Sequence, residues 1–298
     1  MKRSLRTLLI VGCGDVLRRA LPALVGRWRV IALTRARDPA LDAFGIRQIV
    51  GDLDDRRSLR RLAGIADAVI HGAPPPPEGS GDPRTGRLIA ALRRGRSLPR
   101  RLVYISTSGV YGDCGGALVA ETRPPAAQSA RAARRVDAER RLRRFAADGR
   151  CRALILRAPG IYAADRLPLE RLRRGLPLLV HGEDSHTNHI HADDLAAACV
   201  RALDRGGGGR CYNISDDSTL AMGEWFDLLA DSFGLPHAPR IGRAEAEHVL
   251  PPMQWSFMRE SRRLDNRRMK RELRLRLRHP DVASGLADAR RKGLACSG

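Results

Sequence analysis

The residues whose types and spacing could do chemistry begin at Val11. Val11-Gly12-Cys13-Gly14-Asp15-Val16-Leu17 follows a short apolar run and opens a helical pattern. Gly12-x-Gly14 permits a tight turn in which bare backbone comes up to a pyrophosphate, and the anion then rests on a helix N-terminus. Leu17 stands where a third glycine would complete the G-x-G-x-x-G pattern. That change weakens close packing of helix on strand rather than the phosphate cradle. The second apolar run ends in Thr34-Arg35. An acid there would take ribose hydroxyls, whereas an arginine suits a 2′-phosphate, so the pattern favours NADP over NAD. Gly51-Asp52-Leu53 leaves the third run, and Gly72-Ala73-Pro74 leaves the fourth at the edge expected for a cofactor.

Such turns need strands and helices to hold them. Residues 6–12, 29–34, 47–53, 67–74, 101–109 and 152–160 read as short apolar strands. Leu17, Ala20, Leu21 and Leu24 give the first helix its apolar side, and further helical patterns fall near 56–64, 84–95 and 126–148. Buried strands alternating with amphipathic helices predict an α/β fold, a doubly wound parallel sheet of the Rossmann type. The rhythm changes after about residue 159. Residues 1–158 are expected to form the dinucleotide-binding domain, with 187–206 packing back on it. Residues 159–186 and 207–298 then make a smaller substrate-side region. Within that region "GRCYNISDD" reads as another strand, and residues 219–236 read as an amphipathic helix stopped by Gly234 and Pro236. Leu273, Leu275 and Leu277 alternate with Arg274, Arg276 and Arg278, the pattern of a half-exposed strand.

The 298 residues carry 54 basic and 33 acidic side chains, a formal net charge of +21. A charge of that size could mark an acidic partner such as nucleic acid. However, Lys2, Lys270 and Lys292 are the only lysines, and the arginines are spread along the whole chain among Ala, Gly and Pro. The charge therefore reads as a compositional bias and not as a binding tail. No apolar run approaches the length of a membrane span. The basic, then apolar N-terminus ends in Gly-Cys-Gly-Asp without a small-residue cleavage pattern, so it reads as a strand and not as a signal peptide. Cys13, Cys114, Cys151, Cys199, Cys211 and Cys296 form no Cys-x-x-Cys pair. That argues against a zinc knuckle or a disulfide framework and fits reduced thiols in the cytoplasm.

Five motifs, in order, resemble the extended short-chain dehydrogenase/reductases, the NAD(P)-dependent epimerase/dehydratase group. They are the Gly12/Gly14 turn, "GDLDD" with Asp52, "YISTSGVYGD" (104–113), "LRAPGIY" (156–162), and "HADDLA" (191–196) followed by "CYNISDD". The resemblance covers most of the chain to about residue 217. It implies that Asp52 contacts the adenine, that Thr107 is the site hydroxyl, and that Pro159 to Tyr162 line the nicotinamide end. It also implies a small-molecule substrate and a homodimer formed through the 126–148 helix. "SFMRESRRLDNRRMKREL" (256–273) is similar to the last segment of some atypical members, where it closes the substrate side.

The resemblance breaks at the family's Tyr-x-x-x-Lys pair. Tyr104, Tyr111, Tyr162 and Tyr212 have no lysine four residues on, and no lysine occurs between residues 3 and 269. Glu139 matches the glutamate that follows the family's lysine by four, which puts Arg135 at the lysine position and Arg131 at the tyrosine position. Arginine keeps its proton, with a pKa above about 12, but its planar fork can clamp a carboxylate or phosphate. At about 100° per residue, Arg131, Arg135, Ala138, Leu142 and Phe145 share one helix face, which leaves Arg140, Arg143 and Arg144 to solvent. A core-facing guanidinium needs a partner. That partner is a bound cofactor or substrate anion, a nearby acid, or water reached by snorkelling at the helix end. The catalytic candidates are Thr107, Tyr111, Arg131 and Arg135, with a histidine or a water as further proton carriers.

His181, His186, His189 and His191 lie among Glu183, Asp184, Asp193 and Asp194 without a metal-ligand spacing, so no metal is expected. The resemblance makes His191-Ala-Asp-Asp194 a turn whose aspartates cap a helix. His186 or His189 is the better candidate for a substrate contact. The basic stretch 262–279 has no aromatic residue for base stacking. Trp225 and Phe226, at helical spacing with Leu229, read as core. Three functions fit. The first is an NAD(P)-binding atypical oxidoreductase or epimerase/dehydratase acting on a small carbonyl or sugar-type substrate, whose charge Arg131 could hold. The second is a non-catalytic NADP-binding sensor or regulator, and the third a nucleic-acid-binding protein. The Gly12/Gly14 turn favours the first two.

Overall fold

In a computed structural model, which describes residues 5–293 and so leaves Lys2 and Cys296 outside, a central parallel sheet organises the chain. The first half runs β1 (Thr7–Val11), α1 (Asp15–Leu24), β2 (Arg29–Thr34), α2 (Pro39–Asp42), β3 (Arg47–Val50), β4 (Ala68–His71), α3 (Pro83–Arg93), β5 (Arg101–Thr107), β6 (Leu118–Val119), α4 (Ala130–Phe145) and β7 (Arg152–Ala158). Next come β8 (Gly160–Tyr162), α5 (Leu169–Arg173), β9 (Leu178–Leu179), β10 (His189–His191), α6 (Ala192–Asp204), β11 (Cys211–Asn213) and α7 (Met222–Phe233). The chain ends with β12 (Arg240–Ile241), α8 (Arg243–Val249), α9 (Pro252–Met258), β13 (Arg263–Leu264) and α10 (Val282–Arg291). Among the described residues no helix is long and apolar enough to cross a membrane.

The sheet has seven strands in the order β11-β7-β5-β4-β1-β2-β3, and every pairing is parallel. All seven strands were legible in the sequence. Side chains alternate across a strand, so β1 serves both faces. Leu8 and Ile10 join Leu17, Leu21, Leu195 and Cys199 under α1 and α6. Leu9 and Val11 join Leu88, Leu92, Leu142 and Phe145 under α3 and α4. A third apolar cluster sits apart from the sheet, where Leu172, Leu178, Trp225, Phe226, Leu229, Ala246 and Leu286 pack together. The strand order reverses at β1, which has β2 on one side and β4 on the other. A crevice opens at such a switch point, beyond the carboxyl ends of the strands.

Three local readings need correction. The pattern near 56–64 closes as a 3-10 turn over Ser58–Leu62 and buries Leu59 and Leu62. The 126–148 helix is trimmed to α4, because Pro124 and Pro125 precede it and the Ser129 hydroxyl caps its start by accepting from Ala132 N at 3.4 Å. Leu273 to Leu277 do not form a strand. Met269–Leu273 makes a π-helical turn, and Arg274 then takes the left-handed conformation at φ 51°. The expected alternation survives in burial, since Leu273 and Leu275 reach the core shared with α6 and Leu277 packs against it while Arg274, Arg276 and Arg278 are exposed, but the segment pairs with no strand.

Candidate functional site

The candidate cofactor cleft lies at the switch point and has a volume of about 760 Å³. Gly12, Cys13, Gly14, Thr34, Arg35, Asp52, Leu53, Gly72, Ala73 and Pro74 all line it. Gly12 has φ +80°, and a Cβ there would stand 2.5 Å from the backbone nitrogen of Ala73. Ala73 N and Gly72 N both donate to Val11 O, at 3.0 and 2.8 Å, so the two turns are clasped together and only glycine fits. Gly14, the residue before α1, has open space where a Cβ would point and no side-chain cap, which leaves the first helical amides uncovered. The Thr34 hydroxyl oxygen is buried in the wall without a partner. A bare-backbone cradle, an open helix end and an orphaned hydroxyl are what a dinucleotide phosphate and ribose would use. The residues present therefore fit that group.

Leu17 is buried and packs over Gly72, where an added Cβ would lie 2.8 Å from Leu17 Cδ1. The missing third glycine is thus matched by a glycine on the facing strand turn, and the expected loosening does not occur. Asp15 and Val16 stand outside the cleft. Asp15 pairs with Arg19 at 3.0 Å and Arg166 at 2.9 Å, while Val16 packs on the core. Two charged cleft residues had no sequence signal. Asp38 caps α2 and pairs with Arg18. Arg84 reaches across to Asp54 at 2.5 Å and to the Pro74 carbonyl at 3.2 Å. Asp52 itself accepts from Asp54 N at 2.8 Å. Burial pushes the Cys13 thiol up to about 11, so this cysteine is a packed neutral group.

A second cavity of about 330 Å³ opens from the ends of β5 and β7. Thr107, Arg131, Pro159, His186 and His189 line it. The Thr107 hydroxyl accepts from Gly109 N at 3.2 Å. The Arg131 guanidinium carbon stands 3.6 Å from the centre of the Phe257 ring, and the side chain donates to Ser256 Oγ at 3.2 Å. No carboxylate comes within ion-pair distance of Arg131 among the described residues, and burial pushes its guanidinium below its ordinary range. Arg171 also meets neutral oxygens, those of Gln254 at 2.5 Å and Pro177 at 2.6 Å. Arg262 pairs with Glu260 at 2.8 Å, and the other Glu260 oxygen is buried without a partner. Three guanidiniums thus face one carboxylate, against an apolar wall of Met222, Trp225, Phe226, Phe257 and Met258. Trp225 and Phe226 are core, as expected, and also wall. Burial holds the His189 imidazole neutral, down to about 3.

Several candidates stand elsewhere. Arg135 does not enter either cavity, because its Nη1 donates to Ile105 O at 2.8 Å and Tyr104 Oη at 3.0 Å. Tyr111 is wholly buried and lines neither cavity. It donates to Asn213 Oδ1 at 2.7 Å, and burial raises its phenol to about 12. Tyr162 is buried between the edges of His191 and Trp225 and donates to Asp281 O at 3.2 Å, so Pro159 and Gly160 reach the cavity without it. The aspartates of 191–194 do not cap α6. The His191 ring caps it, accepting from Asp193 N at 3.2 Å, while Asp194 takes the backbone amides of Arg278 and His279. The side chains of His191, Asp193 and His279 come within 4.8 Å of one another. Arg19 occupies Asp193 at 3.0 Å, which suits that carboxylate to its cation partner. Glu260 and Arg262 were missed one by one, although they fall in the segment whose resemblance placed it on the substrate side.

The model of the NAD dependent epimerase/dehydratase family matches residues 13–215. The chain is 30% identical to 2-alkyl-3-oxoalkanoate reductase of Stenotrophomonas maltophilia (strain K279a), over 80% of its own length and 78% of the relative's. It is 26% identical to a 4-hydroxy-2-methyl-3-oxo-4-farnesyl-3,4-dihydroquinoline-1-oxide ketoreductase of Stigmatella aurantiaca, over 78% and 74% of the two chains. A functionally unknown conserved protein of Silicibacter pomeroyi superposes with a TM-score of 0.78 at 28% identity, covering 96% of this chain and 99% of that one. Thermotoga maritima UDP-glucose 4-epimerase, solved with UDP-glucose, shares the fold at a TM-score of 0.76 and 20% identity, over 97% and 99% of the two chains.

Proposed function

The chain belongs to the NAD-dependent epimerase/dehydratase family, and from that premise we propose that it is a reductase of small anionic carbonyl compounds, with NADPH as the preferred reductant. One observation carries the substrate class. Arg131 stands in the cavity wall without a carboxylate partner, beside Thr107 and two further guanidiniums. A half-buried guanidinium in an apolar wall is costly unless an anion meets it. Its flat fork matches a carboxylate. A 2-alkyl-3-oxoalkanoate, the compound in one relative's name, has that form: a carboxylate, a ketone and an apolar tail.

In this reading the uncovered amides at the start of α1 would hold the pyrophosphate, Asp52 and Leu53 would flank the adenine, and Thr34 and Arg35 would take the ribose end with its 2′-phosphate. Bound there, the nicotinamide would supply the hydride. Arg131 fixes the substrate carboxylate and cannot release a proton. The Thr107 hydroxyl donates to the ketone oxygen. Reduction of the carbonyl puts negative charge on that oxygen, which takes a proton through Thr107 from water. Trp225, Phe226 and Met258 hold the apolar tail and exclude bulk solvent.

A second reading, a nicotinamide-binding sensor, is favoured by Arg135, which is spent on Ile105 and Tyr104 rather than offered to a ligand. The two readings separate in one assay. NADPH consumption is followed with a series of 3-oxoacids and with the matching methyl ketones. Faster turnover of the acids supports the first reading, and equal rates remove Arg131 from it. A melting temperature raised by NADPH without turnover of any carbonyl selects the sensor. No shift with either dinucleotide overturns both.

A further inference from the structure

The outer side of α4 borders a third cavity, of about 460 Å³, that shares no residue with the other two. It lies at the β11 edge of the sheet, far along the strand order from the cofactor turns on β1 and β4. Six arginines line it: Arg123, Arg140, Arg143, Arg157, Arg210 and Arg268. The two acids in its wall, Glu121 and Glu139, are already engaged. Glu139 takes Arg157 through both oxygens, at 3.1 and 2.7 Å, and also Ser106 Oγ at 2.7 Å. Glu121 takes Asn213 N at 3.1 Å and lies 3.4 Å from Arg268 Nε. Arg210 pairs with Glu272 at 2.9 Å, and Arg143 donates to the Gly209 carbonyl at 2.8 Å. Among the described residues, the Arg123 and Arg140 side chains have no hydrogen-bond or ion-pair partner.

Like charges gathered in a concavity focus a positive potential and repel one another. A multivalent anion removes both effects. Guanidinium forks match phosphoryl oxygens, and donors placed around a basin suit more than one phosphoryl group. The size is that of an ordinary ligand cavity. We propose that this basin is a second anion site, which binds a compact polyphosphate, with Arg123 and Arg140 as its mobile arms over the fixed Arg157–Glu139 floor. The proposal does not depend on the reading of the cofactor cleft.

The experiment is calorimetric titration of the full chain with inorganic triphosphate, with and without NADP⁺, at fixed ionic strength. The expected result is one site whose affinity NADP⁺ leaves unchanged. Arg123→Ser with Arg140→Ser should weaken it about tenfold or more, in line with the loss of charge-assisted contacts. Both side chains are exposed, so the doubly substituted protein should keep its melting temperature and its response to NADPH. Three results would overturn the proposal. They are no binding heat, binding that the double substitution leaves intact, and binding that NADP⁺ displaces, which would assign the triphosphate to the cofactor cleft.

Discussion

In the proposed function Arg131 holds substrate charge, and unlike a phenol it moves no proton. Replacing it by methionine keeps most of its volume and its contact with Phe257 while deleting the fork. Loss of a charge-assisted pair costs roughly 1.5–3 kcal/mol. KM for a 3-oxoacid should therefore rise about 10- to 100-fold, with that for the matching methyl ketone little changed. A parallel rise for both compounds would make Arg131 structural. Arg35 is tested in the cofactor cleft: Arg35→Asp should lower the ratio of NADPH to NADH affinity, and an unchanged ratio removes Arg35 from the site. The sequence placed Arg131 and Arg135 on one helix face, but could not say what each would meet. Their partners, Ser256 and Phe257 for one and Tyr104 and Ile105 for the other, lie about 30 to 125 residues away in the chain. Helical geometry fixes a direction, and tertiary contacts decide between a ligand-facing and a sheet-bound guanidinium.

At the scale of elements, α4 is set on the sheet by a buried ion pair. Glu139 and Arg157 are 2% and 1% exposed, and their forked contact ties the helix to β7. Removing one partner of such a pair strands the other charge, at a cost of about 3–5 kcal/mol, whereas an apolar pair of similar volume is often neutral. Urea unfolding should show that loss for Glu139→Ala and recover most of it in Glu139→Leu with Arg157→Met. A double substitution as damaging as the single one would show that the pair itself supplies net stability. Glu139 was legible as a motif position, and Arg157 as part of "LRAPGIY" at the end of an apolar strand, but nothing in the sequence paired the two. The seven strands and the Gly12/Gly14 turn were legible because each depends on a short apolar run or on glycine spacing. The leucines at 273–277 do alternate, and keep that alternation in burial, but the left-handed Arg274 takes the chain out of a strand.

The whole molecule's response to pH follows from buried groups and not from its net charge of +21. His71 and His189 are held neutral by burial, down to about 3, and His191 by burial and His279, down to about 4. Unfolding frees them to bind protons below their ordinary value of 6.5, so they cost stability as the pH falls through that value. Asp216 has the opposite sign. Burial, with Asp217 and Asp281 adding to it, raises its carboxyl from 3.8 to about 7, and one of its oxygens has no partner. The folded state holds that proton longer than the unfolded state does, so this carboxyl costs stability as the pH rises from about 4 to 7, with no further change above. The three histidines outweigh the one aspartate, and unfolding free energy should rise from pH 4 to 6.5. Asp216→Asn retains the shape and the contact with Ser218 N (3.1 Å) without a charge to bury. The substitution should leave stability near pH 4 unchanged and raise it by roughly 1–4 kcal/mol at pH 8. Urea titrations of both proteins at these pH values provide the check. An equal difference at pH 4 and pH 8 would mean that Asp216 does not titrate between them.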